Sequence, residues 1–251
     1  MSTFGFSDQP LNHSLVGSIS SLLSASGVPN LLWGNGVPTI VDVSVASLYA
    51  LSIERLLILC QGVSFVVPDA LLKICLSTLC NAGFLSCKQG PKCPYPNGAP
   101  CLATATHIHI NDELVISLHR KSDVLWDFPD FEIGANSADI MSAADTRLPR
   151  ARLGRGQGRF PSYLSGVRIP SAVRYCEAII LLLCRDHESP CEPYWMAILT
   201  YLLEYVDETD IFQDNWLREG YRQFYRAMKQ GDPKMYLQLR TLRDFFIKSS
   251  V

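Results

Sequence analysis

Along the first half of the chain the apolar positions come in short runs with the period of strands. Residues 39–41 open a β-rich stretch after the turn-rich segment GVPNLLWGNGVP, residues 27–38, and residues 63–67 make an apolar run of the kind a sheet interior needs. Pro68-Asp69 then starts a helix with Leu71, Leu72, Cys75, Leu76 and Leu79 on one broad face, and Gly83 stops it. Residues 104–110 alternate, placing His107 and His109 on one face and Ile108 and Ile110 on the other. Asn111-Asp112 turns the chain into a partner strand over 114–119. Between helix and hairpin lies CKQGPKCPYPNGAPC, residues 87–101, where six of fifteen positions are Gly or Pro, so it is a loop. Residues 1–26 are Ser-rich with weak periodicity and read as a loose arm or a short helix.

Residues 121–170 lack a clean period. An acidic aromatic stretch, SDVLWDFPDFE, precedes an Arg- and Gly-rich one, RLPRARLGRGQGRFP. Beyond Pro170 the rhythm becomes helical. Residues 172–184 are nearly all apolar around Arg174 and Glu177, residues 194–206 repeat the theme, and Asp214 caps a third helix reaching residue 230. Gly231-Asp232-Pro233 ends that helix and starts a fourth. The pattern predicts an α+β protein in four parts: a loose arm over 1–26, a small mixed β-sheet with packed helices over 27–145, an Arg/Gly/Pro-rich connector over 146–170, and a helical C-terminal subdomain over 171–251.

Composition narrows the function classes. The 251 residues carry 22 Lys and Arg against 24 Asp and Glu, a net charge of −2, so no global field recruits nucleic acid or an anionic membrane. Charged residues make up only 18% and hydrophobic ones 48%, the balance of a thick core or a buried interface. The first residues have no basic stretch leading into an apolar one, and the longest apolar stretch, 43–60, carries Glu54 and Arg55. Neither a secretory signal nor a membrane span is read, and the chain is expected in the cytoplasm, its nine cysteines mostly reduced and buried. Trp195, Leu199, Leu202 and Leu203 recur at core spacing, while Tyr221, Phe224 and Tyr225 alternate with Arg218, Arg222 and Arg226, a face that suits a homodimer or a protein partner.

The strings LLWGNGVPTIVD, SFVVPDALL and AGFLSC, with SDVLWDFPD, DTRLPRARLGRGQGRFP and RIPSAVRYCEAIILLLCRD after them, resemble a set of uncharacterised fungal proteins over most of residues 27–205. Those proteins in turn resemble remote members of the nucleotidyltransferase fold. The resemblance implies a nucleotidyltransferase-like α/β domain over 27–145. Active members hold nucleotide phosphates on a Gly-Ser turn and a divalent metal on two carboxylates one residue apart, with a third on a later strand. Here Trp33-Gly34-Asn35 keeps the glycine without the serine, and neither Asp42 nor Asp69 belongs to an Asp-x-Asp pair. The resemblance therefore implies a degenerate fold, a pseudoenzyme that binds a nucleotide or another phosphate-bearing ligand, or serves as an accessory protein, without a cofactor. Gly34, Asn35, Arg152, Arg155 and Arg159 are the expected ligand contacts, since guanidinium forks and glycine-exposed backbone N–H groups both suit phosphate. The arginines equally suit neutralising Asp123, Asp127, Asp130 and Glu132. The enzyme alternative is a divergent metal-dependent nucleotidyltransferase in which Asp42, Asp69 and Asp112 or Glu113 hold Mg²⁺ from different strands; a helix cap is the competing role for Asp69. A third reading is an oligomeric interaction protein, accessory to a fungal biosynthetic pathway.

Cys87, Cys93 and Cys101 with His107 or His109 offer thiolates and imidazoles to a metal. Their spacing, C-x5-C-x7-C-x5-H, fits no common zinc module, and the expectation is of loop cysteines and surface histidines without metal. No G-x-S-x-G elbow, Walker loop, H-E-x-x-H pair or dinucleotide fingerprint is present.

One segment interrupts the pattern. VSVASLYALSIERLLILCQ, residues 43–61, separates GVPTIVD from GVSFVVPD. It reads either as an apolar helix between two strands, with Leu48, Leu51, Leu56 and Leu59 along one side, or as a retained intron. Val-Ser and Cys-Gln can encode the common donor and acceptor dinucleotides, and nineteen codons keep the frame.

Overall fold

The computed structural model describes residues 4–7, 9–34, 62–89, 93, 101, 104–112, 114–134, 137–150 and 158–249. The β-run expected over 39–41, the interrupting segment 43–61 and residues 151–157 of the Arg/Gly-rich stretch lie outside the described residues. The chain divides into two compact units, Met1–Pro170 and Ser171–Val251.

The first unit opens with α1 (His13–Ala25). Asn12 starts it, its side-chain oxygen accepting the Leu15 N–H at 3.0 Å, and Leu15, Val16, Ile19 and Leu23 form its buried stripe. Asn30, itself buried, locks the helix end to the strand beyond it. It accepts the Ser20 hydroxyl at 2.7 Å and donates to the Ser20 carbonyl, the Ser24 hydroxyl and the Val28 carbonyl. That clamp delivers β1 (Leu31–Trp33), three residues that are all fully buried. The turn-rich reading of 27–38 misses this strand, because Gly and Pro on both sides mask an apolar run too short to show a period.

The main sheet continues with β2 (Gly62–Val67), β3 (Leu85–Ser86), β4 (Thr106–His109) and β5 (Val115–Arg120). Its order is β1-β2-β5-β4-β3. Only β2 and β5 are parallel; the other neighbours are antiparallel. The connection from β2 carries a short 3-10 turn (Asp69–Leu71) and α2 (Leu72–Asn81), with Cys75 and Leu79 buried as the spacing predicts. Gly62 at the start of β2 admits no other residue. A Cβ there would sit 1.9 Å from the Val115 carbonyl oxygen, and the φ of 148° is one that side chains disfavour. After β5 come α3 (Lys121–Val124) and a small antiparallel sheet of β6 (Ile140–Ser142) and β7 (Arg168–Pro170), again too short to show in the pattern.

The second unit is helical: α4 (Ala172–Arg185), α5 (Glu192–Tyr205), α6 (Glu219–Lys229) and α7 (Met235–Ser249). The Ser171 hydroxyl caps α4. Glu177, only 1% exposed, accepts from Arg174, from the Arg218 guanidinium and from the Arg218 N–H, which ties α4 to the start of α6. Asp214 does not cap the third helix. It begins a 3-10 turn (Asp214–Trp216), and both its carboxylate oxygens hold Arg226 at 2.9 Å, so the helix starts later, at Glu219. Asp232 accepts the Lys234 N–H just ahead of α7. No described helix is long and apolar enough to cross a membrane.

Candidate functional site

The sheet edge formed by β3 and β4 gathers two cysteines and two histidines. Leu85 pairs with His109 and Ser86 with Ile108, so one more step along the ladder sets Cys87 opposite His107. Side chains alternate along a strand, and cross-strand partners point the same way, so Cys87, His107 and His109 share one face. Cys93 reaches the same place from the Gly/Pro-rich loop. One donor atom from each of Cys87, Cys93, His107 and His109 lies within 4.8 Å of all the others. Cys93 Sγ and His109 Nε2 are 3.6 Å apart, and the two imidazoles meet edge to face with ring centres 5.3 Å apart.

The set is half-sheltered. Cys93 and His107 are buried, while Cys87 and His109 are partly exposed. His107 is 8% exposed, and its Nε2 has no hydrogen-bond partner among the described residues. Burial, and after it the repulsion of a nearby His109 charge, holds the His107 imidazole below its ordinary range. Cys87 and Cys93 carry reduced thiols. Cys101, the third thiol of the expected set, is disulfide-bonded, as is Cys191, so Cys101 offers no thiolate and the reading of the cysteines as reduced fails for these two. The grouping is thus C-x5-C-x13-H-x-H, using both histidines rather than one. The strand alternation in the sequence already put both on one face. What it could not show was that β3 would pair with β4 in the register that brings Cys87 alongside.

Two carboxylates of the enzyme reading, Asp69 and Asp112, are described, and they lie apart. Asp69 comes after β2 and accepts the Ser122 N–H at 3.1 Å and the Ser122 hydroxyl at 2.5 Å. Burial alone would raise its carboxyl, but the two Ser122 hydrogen bonds and the Arg120 charge outweigh it and hold the group below its ordinary value. Asp69 does not cap the helix that follows it, contrary to the competing reading; its carboxylate instead holds Ser122 in the first turn of α3. Asp112 stands exposed in the turn before β5. Because β2 and β5 are parallel, with Val67 beside Arg120, Asp69 and Asp112 lie at opposite ends of six residues of strand, roughly 20 Å apart. They cannot share a metal ion. Asp42 and Glu113 lie outside the described residues.

Of the expected phosphate contacts, Gly34 ends β1 with a φ of 67°, a conformation that favours glycine, and a Cβ there would come no nearer than 3.8 Å to Ser64. Arg159 donates from Nη1 to the Thr146 carbonyl at 2.6 Å. Arg147 grips Asp145 with two hydrogen bonds, which, ahead of the opposing effect of burial, hold that carboxyl below its ordinary value. Asn35, Arg152 and Arg155 lie outside the described residues. In the acidic patch, Asp123 pairs with Arg120 and Asp130 with Lys121. Comparison with protein families, curated proteins and solved structures finds no match to this chain.

Proposed function

We propose that the chain works by binding rather than by catalysis, as an accessory protein that takes a nucleotide or another phosphate-bearing ligand on its α/β unit. The observation that carries this reading is the placement of Asp69. Both its oxygens are engaged by Ser122, and Asp112 stands at the far end of the parallel strands, so the carboxylate clamp that phosphoryl chemistry needs is not assembled from these two groups. A left-handed glycine at the end of β1 and an arginine-rich segment are features that suit a phosphate without metal.

Thermal unfolding with ATP, in EDTA and in excess Mg²⁺, tests it. Ligand at 100 times its Kd adds about 2.7 kcal/mol of stability, a rise in Tm of about 5–10 °C for a unit of this size. The reading expects that rise in EDTA as well as in Mg²⁺. A rise only with Mg²⁺ favours the nucleotidyltransferase alternative, and no rise in either removes the phosphate ligand.

A second reading, self-association, cannot use the aromatic face expected for it, since Tyr221, Phe224 and Tyr225 are buried in the core, but is favoured by α7. Leu237, Thr241 and Phe245 succeed one another at four-residue spacing on its exposed side, with exposed Arg240 and Asp244 beside them. An apolar line flanked by one charge of each sign is self-complementary about a twofold axis.

A further inference from the structure

We propose that Cys87, Cys93, His107 and His109 bind one Zn²⁺ in a closed tetrahedral site that fastens Cys93 and the chain after β3 to the edge of the sheet. The assignment stands on geometry and does not depend on the phosphate reading above. Tetrahedral zinc, with Zn–S near 2.3 Å and Zn–N near 2.0–2.1 Å, sets its ligand atoms roughly 3.3–3.8 Å apart. The 3.6 Å between Cys93 Sγ and His109 Nε2 falls within that range, and the 4.8 Å limit on the whole set leaves only small side-chain rotations to complete it.

The donor chemistry selects the metal class. Two thiols and two imidazoles without a carboxylate are soft and borderline ligands, which suit Zn²⁺ and disfavour Mg²⁺ and Ca²⁺, cations that take oxygen. A second observation points to the same ligand. His107 is buried, and its Nε2 has no hydrogen-bond partner among the described residues, a condition that buried polar atoms rarely tolerate.

Four protein ligands fill a tetrahedron and leave no position for water or substrate, so the metal is structural rather than catalytic. Its task can be read from the elements it joins. β3 is only two residues long, both exposed, and holds the sheet edge through two residue pairs. A bond from Cys87 through the metal to His107 and His109 secures that edge, and Cys93 brings the loop to the same point. Metal affinity here is therefore folding free energy of the first unit, and the thiols lose their protons on binding.

The full-length chain tests this in two measurements. Zinc content after purification from zinc-supplemented medium should be one per chain. Replacement by Co²⁺ should give the intense visible bands of tetrahedral cobalt together with thiolate-to-cobalt charge transfer in the near ultraviolet. Cys93→Ser and His109→Asn should each weaken Zn²⁺ binding by more than about 100-fold, beyond what losing an outer hydrogen-bond partner costs, while Cys80→Ser, a thiol on α2 outside the set, should bind as the unaltered chain does. Zinc-free protein whose Co²⁺ spectrum is weak and octahedral overturns the assignment, as does full binding by Cys93→Ser. Should the ligand variants fail to fold, the Co²⁺ spectrum of the unaltered chain decides alone.

Discussion

Glu177 and Asp69 are both carboxylates committed to structure, at very different depths. Glu177 is 2% exposed at its side chain and gathers Arg174 and Arg218, whose side chains are 25% and 43% exposed. Removing one partner of a buried pair leaves the rest uncompensated, which costs about 3–5 kcal/mol. Removing both Arg174 and Arg218 as alanines, which strands the buried Glu177 carboxylate, should therefore lower the denaturant midpoint of the second unit sharply, whereas Glu177→Ala, which leaves only partly exposed guanidiniums, should cost less; equal losses would contradict this. Asp69 is far more open, and its effect is best seen through pH. Its folded carboxyl lies below the ordinary 3.8, so its contribution is present above that value and lost as pH falls through the lower, folded one. Thermal scans of the unaltered chain and of Asp69→Asn should differ at pH 6 and draw together as the pH falls below the ordinary carboxyl value. A difference that persists in acid would assign the effect to packing instead.

The elements divide by how much of their period the chain displays. The run at 63–67, the helix face of Cys75 and Leu79, and the alternation through His107 and His109 are each long enough to show a repeat, and each forms the expected element. β1, β3, β6 and β7 have three residues or fewer, less than two strand periods, so nothing in their own sequence separates them from loop. The same limit left the choice among the Cys/His candidates open, because bringing Cys87 alongside both histidines depends on β3. Strand pairing also bears on residues 43–61. β1 and β2 are antiparallel neighbours with Trp33 opposite Ser64, so without those nineteen residues the connection between Gly34 and Gly62 is residues 35–42, longer than a tight hairpin turn but within the ordinary range of loop lengths. A chain lacking 43–61 should keep its far-ultraviolet circular dichroism and its cooperative melt, and transcripts spliced from the codon of Asp42 to that of Gly62 should be found. Messages that all retain the fifty-seven nucleotides, together with an unfolded deletion variant, would make the segment a true element. Gly62→Ala, by contrast, should prevent β2 from pairing with β5, since its Cβ would overlap the Val115 carbonyl.

For the molecule as a whole, a binding role makes different demands from an enzymatic one. Self-association through α7 predicts a concentration-dependent mass by light scattering that Leu237→Ser with Phe245→Ser abolishes, leaving the helical content unchanged; a monomer at every concentration would remove that reading. The metal site is the claim on which the description of the first unit depends most, because it joins a two-residue edge strand and a Gly/Pro-rich loop to the sheet. Native mass spectrometry of the full chain purified with zinc tests it most directly. A single dominant species should appear, heavier than the denatured chain by one zinc less two protons, the signature of two thiolate ligands. A chain of unchanged mass, or a ladder of weak adducts with no proton loss, would contradict it.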